Sequence, residues 1–377
     1  VKIAFVRARY SAHGGAERFA ARALRALGAS QAEPVDVAVL ARRWDSADGV
    51  RVIRCDPFYL GSTWRDASFA AGVHACLARE TFDLVQSHER IVGLPLYRAG
   101  DGVHAAWLER RGRALSWSGR LAIACNPHHR YLVATERAMF EHPALRAVIC
   151  NSRMVIDEIT ARFAIDPAKL VLIRNGVDTT HFHPDARAVH RNAVRTKLGI
   201  ADATPTFVLV GSGFERKGVA QAIDALAAVV DAVLVVVGED KQRARYAARA
   251  ERRGVAGRVR FVGAVPDPLP YLAMADAFVL PTLYDPFPNA ALEAWATGLP
   301  VITSDASGAA ELIDEGVNGW VVDAYDPALL VAALRAAATR SNAMSAAARD
   351  TALRCALPML ADELVALYRR LLVPCPR

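Results

Sequence analysis

Short runs of consecutive apolar residues, too brief for helices and too uniformly apolar for half-exposed strands, recur along the whole chain. Ile3 to Val6 opens the series, and Val35 to Leu40, Val50 to Arg54, Asp83 to Ser87 and Ala147 to Cys150 continue it. Runs of this kind, separated by helix-length segments, are what a parallel sheet buried on both faces requires. Between the first two, Ala16 to Leu27 has helical spacing: Phe19, Ala23, Leu24 and Leu27 form an apolar stripe, with Arg18, Arg22 and Arg25 on another face. The chain therefore predicts a strand, a glycine turn through His13-Gly14-Gly15, and a helix.

The second half restarts the same plan. Phe207 to Val210 is a continuous apolar strand, Gly211-Ser212-Gly213 a turn, and Gly218 to Val229 a helix. Buried-strand patterns follow at Ala232 to Val237, Val259 to Gly263, Ala277 to Leu280, Val301 to Ser304 and Trp320 to Val322. Two open α/β domains are expected, with the boundary at Arg174-Asn175-Gly176-Val177-Asp178, where a strand ends in turn residues. The expected division is 1–175, 176–356, and a final helix within 357–377. That helix, Pro358 to Leu372, carries Leu360, Leu364, Leu367 and Leu371 on one face and is expected to pack back on the N-terminal domain.

Composition narrows the function classes. A chain of 377 residues exceeds one ordinary core, and 53% hydrophobic against 23% charged residues excludes a disordered protein. The longest apolar run, Val229 to Val237, is interrupted by Asp231 and falls far short of the roughly 20 residues of a membrane span. Val1 to Arg7 lacks the long apolar region of a secretory signal, so a cytoplasmic location is expected. Six scattered cysteines without metal-binding spacing suggest mostly buried thiols. A net charge of +7 suits an anionic partner, whether a nucleotide, a phosphorylated acceptor or an acidic membrane, and does not choose among them.

Two stretches carry candidate chemistry. Gly211-Ser212-Gly213-Phe214-Glu215-Arg216-Lys217-Gly218 leaves a strand and enters a helix; its glycines let backbone approach a phosphate, and Arg216 and Lys217 supply positive charge. An ordinary surface turn with two solvated cations is the alternative. Arg216 replaces the third glycine of a dinucleotide fingerprint, and the stretch lacks the Gly-Lys-Ser/Thr of a P-loop. The other stretch runs from Leu280 to Val301 and places Asp285 and Glu293 about a proline-rich turn and a helix start. Two carboxylates so placed suit sugar and ribose hydroxyls, with the backbone N–H groups of Phe287, Asn289 and Ala290 facing a ligand. A turn aspartate and a helix-dipole glutamate would be the plain structural alternative.

Asp285-x₇-Glu293, followed by Ala294-Trp295-Ala296-Thr297-Gly298-Leu299-Pro300-Val301, resembles the E-x₇-E signature of the retaining GT-B glycosyltransferases of family 4. Val210 to Val219, Val237-Gly238-Glu239-Asp240-Lys241 and Tyr97-Arg98-Ala99-Gly100-Asp101 look like the branch of that family that glucosylates heptose in the lipopolysaccharide core. Asn151-Ser152 and Asn175-Gly176-Val177-Asp178 are shared more widely. The resemblance implies two Rossmann-like doubly wound domains facing across a cleft. It implies a UDP-sugar donor held mainly by the C-terminal domain and a saccharide or lipid-linked acceptor held mainly by the N-terminal one. Arg216 and Lys217 would hold the diphosphate together with the Gly211 turn, Glu293 the ribose and Asp285 a donor-sugar hydroxyl, with uracil near Val265-Pro266. Gly14-Gly15 would approach the donor phosphate or the acceptor, where an ordinary first turn of a Rossmann domain is the alternative. Asp101 and His104 are candidates for contacting acceptor or donor sugar, against a structural turn and a satisfied core histidine.

No cofactor or metal is expected, because the two cations suit the leaving diphosphate and no Asp-x-Asp adjoins either glycine loop. Asp285 stands where glutamate is usual, which changes the reach of that carboxylate and leaves the donor sugar open. The N-terminal loop from Arg9 to Arg18 also departs from the heptose-glucosylating pattern at acceptor-side positions, so another cell-surface glycan remains an alternative. Segment 107–130 mixes Trp107 and Trp117 with Arg110, Arg111, Arg113, Arg120 and Arg130, as a helix lying on anionic lipid would; a charged surface helix is the alternative. A nicotinamide-dependent oxidoreductase would share the two Rossmann-like halves but lacks the third glycine. A nucleic-acid-binding protein would share the charge but leaves the paired carboxylates unexplained, so no nucleic-acid partner is expected.

Overall fold

The computed structural model describes residues 1–9, 36–44, 51–339 and 342–372. Gly14, Gly15, the helix expected over Ala16 to Leu27, and Cys375 lie outside the described residues. The described residues form two compact units, Val1–Arg174 with Leu360–Arg377, and Asn175–Met359.

In the first unit the strands are β1 (Lys2–Val6), β2 (Asp36–Ala41), β3 (Arg51–Arg54), β4 (Leu84–Ser87), β5 (Leu96–Arg98), β6 (Ala147–Cys150) and β7 (Leu170–Leu172). They pair in the order β3-β2-β1-β4-β5-β6-β7, every neighbour parallel. β1 and β4 lie side by side but far apart in sequence, so the chain reverses its direction of travel across the sheet between them. Such a switch point leaves a crevice beyond the carboxyl ends of the two strands.

The second unit repeats the arrangement. Its strands are β8 (Thr206–Val210), β9 (Val233–Val237), β10 (Val259–Gly263), β11 (Ala277–Leu280), β12 (Val301–Ser304) and β13 (Gly319–Val322), ordered β10-β9-β8-β11-β12-β13 and parallel throughout. Here the switch lies between β8 and β11. β9 is buried along its whole length, as a central parallel strand demands. The core between sheet and helices includes Phe207, Phe278, Leu292 and Trp295. Trp295 is completely buried and satisfies its indole N–H on the Asn318 carbonyl at 3.0 Å.

The final helix, Leu357–Leu372, starts in the second unit, where the Leu357 N–H meets the Val177 carbonyl at 3.1 Å. It continues in the first, burying Leu360, Leu364, Leu367, Tyr368 and Leu371 and donating the Tyr368 hydroxyl to Gln86 at 2.6 Å. β5 and β7 escape the sequence pattern because three residues are too few to show a period. Of the described cysteines, Cys55, Cys150 and Cys355 are buried, Cys76 is half-buried and Cys125 is exposed. Cys55 and Cys76 lie with sulfurs 3.0 Å apart, and burial, aided by Cys76, pushes the Cys55 thiol up to about 12.

Candidate active site

The two chemistry-bearing stretches meet at the switch point of the second sheet. The turn after β8 is tied to the end of β9, with the Gly211 N–H on the Val237 carbonyl at 2.9 Å and the Glu239 N–H on the Ser212 hydroxyl at 3.2 Å. Asp240 accepts the Phe214 N–H at 2.7 Å and so fixes the bend into Phe214–Lys217. From the other side the segment after β11 clamps the same turn. Thr282 donates its hydroxyl, and Leu283 its N–H, to the Arg216 carbonyl at 2.7 and 2.8 Å. Two glycines make the approach possible. A Cβ on Gly218 would stand 1.9 Å from the Pro281 carbonyl oxygen, and one on Gly238 would stand 2.3 Å from that of Gly211. Only glycine lets these backbones touch.

At this junction Lys217 Nζ donates to Asp285 Oδ2 at 2.5 Å. Both side chains are largely buried, 12% and 7% exposed. Burial lowers the Lys217 pKa below its ordinary value, an effect that Asp285 opposes and neighbouring Arg216 reinforces. Asp285 is held by its backbone, its N–H on the Ala306 carbonyl and its carbonyl accepting from Gly308, each at 2.9 Å. The sequence reading set Lys217 and Asp285 on different parts of a ligand, and the structure joins them as an ion pair across 68 residues. A charge-assisted pair of this kind holds a cation ready beside a half-buried Arg216.

The remaining residues of the second unit are placed as follows. Glu293 is 1% exposed inside the helix Asn289–Ala296, whose first two residues, Asn289 and Ala290, are partly exposed. Phe287 is buried. Asn175 clasps this helix start, donating Nδ2 to the Phe287 carbonyl at 2.9 Å and to Asn289 Oδ1 at 2.7 Å. Sequence reasoning set Asn175 at the domain boundary and in a widely shared family stretch, and named no partner for it. Val265 and Pro266 follow β10, two strands from β8; Val265 is half-buried against the core and Pro266 is exposed.

Asp101 and His104 belong to the first unit. Asp101 is about half exposed at 51%, with one oxygen 3.9 Å from Arg7. His104 starts the helix His104–Arg113 and gives its backbone N–H to Glu136 at 2.7 Å, while its Nε2 meets His129 Nδ1 at 3.0 Å. Burial, with help from Arg90, pushes the imidazole down to about 3, so it is neutral at physiological pH and exchanges hydrogen bonds as a neutral group. Glu136, itself 1% exposed, also accepts Arg90 Nε at 2.7 Å. Burial opposes the Arg90 charge, but Tyr97, Glu136 and Asp101 outweigh it and hold the guanidinium above its ordinary value. Neither Glu136 nor Arg90 carries a sequence signal; each is one charged residue in a helix or loop until the fold brings it in.

Among the described residues, no cluster of His, Cys, Asp and Glu side chains could hold a metal ion, and no helix is long and apolar enough to cross a membrane.

Residues 13–181 match the model of Glycosyltransferase Family 4, and residues 190–351 match that of Glycosyl transferases group 1. The chain is 29% identical over 283 residues to the lipopolysaccharide glucosyltransferase WaaG of Escherichia coli K12, covering 74% of each protein. It superimposes on the crystal structure of WaaG, a glycosyltransferase involved in lipopolysaccharide biosynthesis, with a TM-score of 0.82 and 26% identity, over 97% of this chain and 99% of that one. Anabaena HepE, solved in complex with UDP and glucose, shares the fold at a TM-score of 0.72 and 20% identity, over 98% and 99% of the two chains. The two family models follow one another along the chain, and the two doubly wound sheets match WaaG. The chain belongs to the family 4 and group 1 glycosyltransferases of GT-B fold, and is a transferase enzyme.

Proposed function

We propose that the chain transfers a hexose, glucose in the best-supported case, from a UDP-sugar to a saccharide acceptor with retention of anomeric configuration. The observation that carries this reading is the buried Lys217–Asp285 pair beside Arg216 at the switch point between β8 and β11. Lys217 and Arg216 supply positive charge where a diphosphate leaves, Asp285 accepts a donor-sugar hydroxyl, and Glu293, in the second turn of the helix Asn289–Ala296, takes the ribose. The bond from the anomeric carbon to the diphosphate oxygen breaks as the bond to the acceptor oxygen forms on the same face. The acceptor proton passes to the departing diphosphate. Fixed charge at that oxygen is the main source of rate, and the two cations do the work for which a divalent metal would otherwise serve. The likeness to WaaG, a lipopolysaccharide glucosyltransferase, favours a lipopolysaccharide acceptor, and the resemblance read from the sequence points to its heptose region.

Thermal stabilisation by a panel of UDP-, GDP-, ADP- and CMP-sugars tests the donor. Ligand that binds only the folded state raises apparent stability with concentration, so a shift with one UDP-sugar is expected. A shift with a GDP- or ADP-sugar instead would replace the donor, and none with any of the four would overturn the reading.

The same reading places the protein at the inner face of the cytoplasmic membrane, through 107–130. On the helix Trp117–Cys125, Trp117 is 76% and Leu121 53% exposed, one turn apart, beside exposed Arg113 and Arg120. Trp107, by contrast, is half-buried and packs into the unit. Apolar side chains at one level with arginines around them suit an anionic lipid surface. Sedimentation with vesicles containing anionic phosphatidylglycerol is expected to exceed that with neutral phosphatidylcholine, and Trp117→Ala with Leu121→Ala to remove the difference. Equal sedimentation with both vesicles would withdraw the membrane contact.

A further inference from the structure

The switch point of the first sheet holds a cavity of about 340 Å³, beyond the carboxyl ends of β1 and β4. That is the size class of small-molecule sites. Arg7, Arg9, Arg42, Arg65 and Arg90 line it, facing two carboxylates, Asp66 and Glu89. Arg42 and Arg90 have carboxylate partners behind the wall, Asp56 and Glu136, and Arg7 and Arg65 have Glu89 and Asp66 within it. Among the described residues, the positive charge without a carboxylate partner is therefore that of Arg9, and the other guanidinium groups contribute their remaining N–H donors.

Both carboxylates are already committed. Asp66 takes Arg65 Nε at 2.7 Å and His128 Nε2 at 2.9 Å; Glu89 takes the Ala8 N–H at 3.0 Å and lies 3.5 Å from Arg7. The arginines differ in freedom. Arg42 is only 3% exposed: it donates to Asp56, the Pro57 and Arg65 carbonyls and the Ser68 hydroxyl, and stacks 4.7 Å from the Tyr59 ring centre. Arg90 is fixed by Glu136 and by the Gly102 carbonyl at 3.1 Å. These two are immobile wall charges that pay no ordering entropy when a ligand arrives. Arg65 keeps 38% of its side chain exposed, and Arg9 is exposed with one contact to the Tyr59 hydroxyl at 3.3 Å. Those two stand at the rim and are able to close on a guest. Phe69, Ile91 and Leu132 give the same cavity an apolar side, which suits the C–H face of a sugar ring.

We propose that this cavity binds the saccharide acceptor by an oxyanion substituent, a phosphate or a carboxylate, gripped by the Arg9 and Arg65 forks against the fixed Arg42 and Arg90. Planar forks that meet two oxygens at once serve either group. That the bound saccharide is the acceptor rests on the transferase reading above; that the cavity takes an anionic sugar does not.

Calorimetric titration of the full chain with mannose 6-phosphate, glucuronate and mannose tests it. At least one charged sugar is expected to bind about tenfold or more tightly than mannose, as one or two hydrogen bonds to a charged group imply. Tighter binding of the phosphate would name phosphate as the substituent, and tighter binding of glucuronate a carboxylate. Arg9→Gln and Arg65→Gln, both at exposed or partly exposed side chains, are expected to abolish the preference while leaving stabilisation by the UDP-sugar unchanged. Equal binding of all three sugars, or a preference that survives both substitutions, would overturn the proposal. Failure of the donor reading shows separately, as absence of UDP-sugar stabilisation in the unaltered chain.

Discussion

Lys217→Ala is expected to lower turnover by about two to three powers of ten, the usual loss when one preorganised donor to a developing oxyanion is removed. The size follows from where the cation sits. Lys217 keeps only 12% of its side chain exposed, its stem runs past Gly211 so closely that a Cβ there would stand 3.0 Å from Lys217 Cε, and its ammonium rests on Asp285. Little of the ammonium's field is lost to solvent, and the protein has already fixed its direction. The loss should appear in kcat and kcat/KM alike, because the charge on the leaving diphosphate grows mainly as the glycosidic bond breaks. Asp285→Ala alone is expected to be damaging too, since it frees Lys217 from its anchor. The double variant should then lose less than the two single losses multiplied, because both remove the same pair. Steady-state kinetics on the four proteins decides it. Near-native turnover in Lys217→Ala would remove Lys217 from the chemistry and leave Arg216 as the diphosphate cation.

The sheets were legible because buried parallel strands announce themselves as unbroken apolar runs, and β6, β10, β11 and β12 begin and end where the pattern put them. Three-residue β5 and β7 were not, since a run that short has no contrast with its surroundings. The second unit's site was legible for a local reason. Gly211 to Gly218 and Leu280 to Val301 are each continuous in sequence, so turn chemistry and cations appear together within a few residues. What no local reading supplies is pairing across distance. Lys217 meets Asp285 through the adjacency of β8 and β11, and Asn175 reaches Asn289 across 114 residues. The first unit's cavity is the extreme case. Its arginines come from the segments just after β1 and β2, the helix Gly61–Leu77 and the loop after β4, so each looks like a solitary surface cation until the sheet order brings them to one crevice. Arg42, just beyond the apolar strand β2, is buried for a reason its own neighbourhood in the sequence does not show, namely its hydrogen-bond partners on a later segment.

Glu136→Ala is expected to be the most destabilising single change in the first unit, by about 3–5 kcal/mol, the range for removing one partner of a buried ion pair. Glu136 Oε1 accepts both Arg90 Nε and the His104 N–H at 2.7 Å, so its loss strands a cation and the first N–H of a helix at once. Arg90 has a 17% exposed side chain and keeps one further contact, to the Gly102 carbonyl, which does not replace a carboxylate. At about 2–4 °C per kcal/mol for a unit of this size, the unfolding midpoint should fall by on the order of 10 °C. Glu136→Gln retains an acceptor oxygen but not the charge, so its loss should be smaller, about 1.5–3 kcal/mol, the worth of a hydrogen bond to a charged group. Differential scanning calorimetry separates the outcomes, with the UDP-sugar shift expected to persist because its residues lie in the other unit. A midpoint unchanged in Glu136→Ala would mean that Arg90 is satisfied without Glu136. The Asp101-Gly102 turn would then owe its position to other contacts, of which Asn151 Nδ2 on the Gly100 carbonyl at 3.3 Å is one.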